Sequence, residues 1–166
     1  MNSDKVGGLP VVYSVHVRIG RMVAGELRER NIRMGRKLFL IGCVFPDFLP
    51  HFPGHSVDKS KKLFDRLYRL YTRRRGRLCS KIKAGDSFLM GVLSHYAADY
   101  ACAAHQPDYG ENMRCHMRYE RDMWRFLKRN PQVIFSGVGQ TAASAGFAGD
   151  LSRAADAVRT VCAAGG

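Results

Sequence analysis

SFLMGVLSHYAADYACAAH, residues 87–105, reads as a helix, and nearly everything else in the chain can be ordered around it. Asp86 or Ser87 can cap its start, and the Ala-rich second half favours helix and close packing. The stretch carries almost no charge, yet it contains His95 and Asp99, four residues apart and therefore on one helix face. A buried carboxylate without a charge partner costs several kcal/mol. A cation gripped by the imidazole and the carboxylate together would remove that cost, and those two donor types suit zinc. On an ordinary surface helix the same pair would be a simple ion pair; here the apolar surroundings argue against that.

The flanking sequence repeats the helical pattern. In residues 11–30, Val12, Val15, Ile19, Met22 and Val23 recur at three- and four-residue steps. A short helix is expected over about residues 36–45, stopped by Pro46. Residues 46–55, PDFLPHFPGH, read as a loop. Ser56 then caps a helix to about residue 74, with Leu63, Phe64, Leu67, Leu70 and Tyr71 as its buried stripe. Residues 76–83 connect to the helix quoted above, and QPDYG, residues 106–110, forms a turn. A further helix covers about residues 111–129 and ends before Pro131. Residues 132–147 read as a loose connection. Residues 149–164 form a last amphipathic helix with Leu151, Ala155, Val158 and Cys162 on its apolar face. No repeat and no strand-period alternation is visible, so the fold class is all-α: one bundle of about five to six helices.

Length and composition set the bounds. At 166 residues the chain is expected to be one domain, able to bury a core without disulfides. The 46% hydrophobic and 25% charged fractions are those of a globular protein and exclude wholesale disorder. The five cysteines (Cys43, Cys79, Cys102, Cys115 and Cys162) form no CxxC pair and no disulfide framework. Neither a secretory leader nor a span long enough for a bilayer is apparent, so the expected location is cytoplasmic, with any membrane contact peripheral. The formal charge of +13 favours polyanionic partners: anionic lipid head groups, nucleic acid or phosphorylated metabolites. Much of the excess lies in residues 66–83, including Arg73, Arg74, Arg75 and Arg77.

The remaining histidines extend the candidate site. His116 and Glu120 repeat the four-residue spacing of His95 and Asp99, and such doubled pairs build dinuclear centres in helical proteins. His105 follows Asp99 by six residues. The proline-rich loop contributes Asp47, His51 and His55, and His16 lies on the first helix. Taken singly, Asp47 is also an ordinary turn residue and His16 an ordinary core histidine.

In order, these residues resemble the zinc-dependent phospholipase C family over residues 16–120. Its pattern is an early helical His, an Asp after proline, a loop His, His-x-x-x-Asp, a His six residues later, and His-x-x-x-Glu. Those positions are His16, Asp47, His55, His95, Asp99, His105, His116 and Glu120. His51 is the alternative to His55, which is preferred because it immediately precedes a helix. The resemblance implies one zinc on Asp47, His55, His95 and a bridging Asp99, and a second on His105, His116 and Glu120. A third would use His16 and Asp99 with an N-terminal Trp, whereas this chain begins with Met1 and its one tryptophan is Trp124. Two tight zincs and a third that is weak or absent are therefore expected.

The implied function is phosphoester hydrolysis of a phospholipid or related phosphodiester by zinc-activated water, with Asp47 or Asp99 orienting or deprotonating the water. Zinc-dependent single-strand nucleases share the fold and ligand set, so a nuclease using Tyr68, Tyr71 and Arg73 to Arg75 is the second reading. A non-catalytic, metal-stabilised membrane- or nucleic-acid-binding module is the third.

Overall fold

The computed structural model describes residues 5–6, 9–48, 57–75, 81–106, 113–134 and 146–164. Six α-helices make the fold all-α: α1 (Val11–Glu29), α2 (Arg36–Gly42), α3 (Val57–Arg75), α4 (Ala84–Ala101), α5 (Met113–Arg129) and α6 (Phe147–Ala163). Among the described residues the 3-10 turns Phe45–Phe48, Ala103–His105 and Pro131–Ile134 punctuate them. A two-residue antiparallel pairing of Lys5–Val6 with Leu9–Pro10 precedes α1. No helix among the described residues is long and apolar enough to cross a membrane. Cys43, Cys102, Cys115 and Cys162 are free thiols, and Cys79 lies outside the described residues.

Helix α4 is the central element, with α1, α2, α3 and α6 packed around it. Every residue from Leu89 to Asp99 is buried, which explains why this stretch is apolar all round rather than along one stripe. Phe39, Tyr71, Met90, Leu93, Leu127 and Leu151, each at most 1% exposed, form the densest part of the core.

The tightest contact is between α2 and α4, where Gly42 faces Gly91. A Cβ on Gly91 would stand 2.8 Å from Gly42 Cα and closer still to the Phe39 carbonyl oxygen. Only a pair of glycines lets the two backbones approach this far. The approach delivers the C-terminal end of α2 directly to His95.

Several local expectations are corrected. Helix α2 ends at Gly42, not at residue 45, and Phe45–Phe48 is a 3-10 turn rather than irregular loop. Pro46 is tolerated there because the turn's bond runs from Asp47 N–H to Val44 C=O, at 3.2 Å, and does not need a donor at the proline. Leu70 is 44% exposed. The inward stripe of α3 is Ser60, Phe64, Leu67 and Tyr71, whose helical spacing leaves Leu70 on the flank.

Helix α4 begins at Ala84 without a side-chain cap. Ser87 instead donates to the Lys83 carbonyl at 2.9 Å and accepts from Gly35 N–H at 3.0 Å. The helix also stops short of His105: Cys102 is extended (φ −96, ψ 141), and His105 closes a separate 3-10 turn. The expected loose connection after residue 131 starts as the 3-10 turn Pro131–Ile134, while residues 135–145 lie outside the described residues.

The glycine contact yields a stability prediction. Gly91→Ala should lower unfolding free energy by about 1–3 kcal/mol or more, because neighbouring backbone must move. Gly85→Ala, on the same helix with nothing within 4 Å of the added Cβ, should be neutral or stabilising by about 0.5–1 kcal/mol. Urea unfolding of both variants checks this; equal stabilities would show that α2 and α4 are not held at that contact.

Candidate metal centre

Each ligand candidate arrives from a different part of the bundle. His16 comes from α1, Asp47 from the 3-10 turn after α2, His95 and Asp99 from α4, His105 from the turn after α4, and His116 and Glu120 from α5. The loop candidates His51 and His55 lie outside the described residues.

Asp99 stands at the centre, 2% exposed. Its Oδ2 lies 3.1 Å from His95 Nε2, and its Oδ1 lies 3.2 Å from His16 Nε2 and 3.5 Å from His105 Nε2. Asp47 Oδ1 reaches His95 Nε2 at 3.6 Å. On the other side, Glu120 Oε1 is 2.9 Å from His116 Nε2 and 3.8 Å from His105 Nε2. Two groups result, His16/His95/Asp99 and His105/His116/Glu120, the ligand atoms within each lying within 4.8 Å of one another. Their imidazoles pair closely, with ring centroids 4.3 Å apart for His16 and His95 and 4.6 Å apart for His105 and His116. His16 therefore joins His95 in one group, and Asp99 connects that group to His105.

The buried carboxylates and imidazoles shift one another's protonation. Burial alone would push Asp99 up, but His105, His95 and His16 hold it well below the usual carboxylate range. Burial likewise pushes His16 down, and the opposing pull of Asp99, Asp47 and Glu120 raises it to about 9. His116 is raised chiefly by its hydrogen bond to Glu120. The carboxylates thus favour the protonated forms of His16 and His116. His16 Nδ1 and Glu120 Oε2 are buried without a hydrogen-bond partner, which leaves both atoms open to a bound ion. Imidazole nitrogen with carboxylate oxygen is the donor set zinc prefers outside thiolate sites, so these residues fit the ion.

A contact that sequence reasoning missed completes the picture. His95 Nδ1 lies 3.0 Å from the Cys43 carbonyl oxygen, which can only accept, so Nδ1 carries the proton and Nε2 is left as the ligand atom. Metal-binding histidines commonly donate their second nitrogen in this way, fixing ring orientation. A backbone carbonyl has no signature in sequence; the signal available was Gly42 beside Cys43, four residues before Asp47.

The sequence profile of the family described as zinc dependent phospholipase C matches residues 15–161. The chain belongs to this family. The match starts one residue before His16 and runs through nearly all of α6, so the zinc-dependent phospholipase C unit extends well beyond Glu120. Comparison with curated proteins and with solved structures gives no match.

Because Asp99 touches imidazoles of both groups, Asp99→Asn should lower bound zinc more than Glu120→Gln does. Elemental analysis after exhaustive dialysis measures this, with the wild-type chain expected to keep at least two ions. Equal losses in the two variants would show that Asp99 serves one group only.

Proposed function

We propose that this protein hydrolyses a phosphodiester, with a phospholipid as substrate, using zinc held by His16, Asp47, His95, Asp99, His105, His116 and Glu120. The observation that carries the reading is the buried Asp99 carboxylate shared between two ligand groups. Such sharing lets two cations act on one phosphate. His55, or His51 in its place, is a further ligand by family resemblance. When bound, zinc lowers the pKa of a coordinated water toward about 7 and offsets the charge growing on phosphate oxygens.

The two central carboxylates then divide the remaining work. Both oxygens of Asp99 are engaged by imidazoles and the group is closed to solvent, so it orients its neighbours. Asp47 keeps 11% of its side chain exposed and approaches His95 at 3.6 Å, whereas Asp99 is closed off. The Asp47 carboxylate is the better acceptor for the proton of an attacking water. His116, with 22% side-chain exposure, marks the edge through which a phosphate can enter. Each group would anchor one tightly held ion. A third ion would have to share ligands with these two, so it would be held weakly.

The nuclease reading has less support. Tyr71 is fully buried, with its hydroxyl donating to Met90 Sδ at 3.2 Å, and Tyr68 is half-buried and stacked on Phe64. Tyr71 is not available to stack on a base, and Tyr68 already has one ring face against Phe64. A lipid surface suits the exterior better. Exposed Lys59, Lys61, Lys62, Arg66, Arg69, Arg73 and Arg74 line α3. Around α2 and the following turn, Leu38, Ile41 and Phe48 are 37%, 50% and 52% exposed, next in sequence to the exposed Arg36 and Lys37.

Two measurements test this. Against a panel of phospholipids, soluble phosphodiesters and single-stranded DNA, the zinc-loaded protein should turn over phospholipid. Asp47→Asn should lower kcat by about 10²–10⁴ with KM changed only a few-fold. Stoichiometric zinc with no turnover on any substrate would instead make the protein a non-catalytic binding module. Binding to anionic vesicles should exceed binding to neutral ones and weaken with salt. At about 1 kcal/mol per cation, replacing Arg66, Arg69 and Arg73 with Ala should weaken it roughly a hundredfold. Equal affinity for both vesicle types would remove the membrane from the proposal.

A further inference from the structure

Asp150 is a carboxylate buried to 2% on α6, among Leu151, Ala154, Ala155 and Val158, and it belongs to neither ligand group. Its Oδ2 accepts the Tyr119 hydroxyl and also the Ala103 N–H, the latter at 3.4 Å. Its Oδ1 accepts from Arg153 Nη2, while Arg153 Nε donates to the Ala101 carbonyl at 3.3 Å. These partners are not scattered. Ala103 opens the 3-10 turn that ends at His105, and Tyr119 immediately precedes Glu120 on α5.

The break in the chain at Cys102 gives this carboxylate its task. Extended geometry there ends the helical ladder, so Ala103 N–H needs an acceptor from elsewhere. Asp150 supplies it across the bundle and at the same time holds the α5 residue beside Glu120. Arg153 is 52% exposed, so its ion pair is screened by solvent and does not by itself account for a carboxylate at this position. The two contacts made by Oδ2 do.

We propose that Asp150 is a positioning residue for the His105/His116/Glu120 group, setting the separation between the turn that carries His105 and the helix that carries the other two. The proposal rests on the reading that this group holds zinc. Partners of this kind commonly alter metal affinity ten- to hundredfold when removed.

The test is the timed release of zinc from loaded protein to an excess of a chromogenic chelator. The release phase of the group is identified as the one missing in His116→Ala. Asp150→Ala should speed or weaken that phase ten- to hundredfold and leave the other phase at its wild-type value. Tyr119→Phe, which deletes one contact and no volume, should shift the same phase several-fold. Asp150→Asn, which keeps an oxygen at the acceptor position, should recover part of the Asp150→Ala loss. The visible spectrum of the cobalt-substituted protein should change in Tyr119→Phe as well, since ligand geometry is altered.

If Asp150→Ala does not fold, as judged by circular dichroism, Tyr119→Phe and Asp150→Asn decide the matter. Unshifted release in both would overturn the proposal, as would equal shifts in both phases, which would mean general loosening. Wild-type protein without zinc would overturn the underlying site reading, and this proposal with it. Zinc-loaded wild type with unshifted variants would overturn the Asp150 proposal alone.

Discussion

A negative charge in the middle of a helical core is the constraint on which this structure depends. Asp99 sits on α4, the helix against which α1, α2, α3 and α6 pack, and it is 2% exposed. A carboxylate there is expensive unless positive charge and hydrogen-bond donors meet it from close range. Imidazoles from α1, from α4 itself and from the turn after α4 do so, within 3.1–3.5 Å. One charge therefore draws three parts of the chain to a common point. The same requirement gathers groups that could hold a metal ion, because imidazole nitrogen and carboxylate oxygen are both metal ligands.

Bringing donors to Asp99 demands unusually close backbone packing. The Gly42–Gly91 contact presses α2 onto α4 until the Cys43 carbonyl meets His95 Nδ1. That hydrogen bond turns Nε2 toward Asp99 and Asp47. Two side chains that are absent thus aim a ring that is present. Further along the chain, Asp47 follows from the same placement, since its 3-10 turn begins three residues after α2 ends. Packing and ligand geometry are consequently one problem in this half of the molecule.

The helices and most of the ligand set could be read from sequence because each carries a periodic or spaced signal. His95 with Asp99, and His116 with Glu120, are pairs that a helix brings together whatever its neighbours are, and the apolar run around His95 announced burial. The last helix was likewise visible in Leu151, Ala155, Val158 and Cys162, all of which are buried. What escaped were features decided by neighbours. Leu70 faces solvent because Tyr71 takes the inward position beside Met90. Local propensity extended α4 through its alanines to His105, but the chain breaks at Cys102, where Asp150 on a distant helix accepts the Ala103 N–H. Asp150 itself left a trace: an acidic residue inside an otherwise apolar stripe.

The charge distribution connects this interior to the protein's surroundings. A chain with a formal charge of +13 is an unfavourable host for divalent cations when viewed from a distance. Range resolves the conflict. Exposed cations such as those along α3 are screened over about 8 Å at physiological ionic strength, whereas buried charges are screened far less. Asp47, Asp99 and Glu120 lie within a few ångströms of ligand nitrogens, with separations of 3.6, 3.1 and 2.9 Å. Inside the bundle the acidic side chains therefore dominate what a cation would feel, while the exterior excess is positive. On the proposed function, an anionic phosphate would be drawn to the surface by the exterior field. It would then meet carboxylates neutralised by the ions they would hold, so the acidic centre that would secure the metal need not repel the substrate.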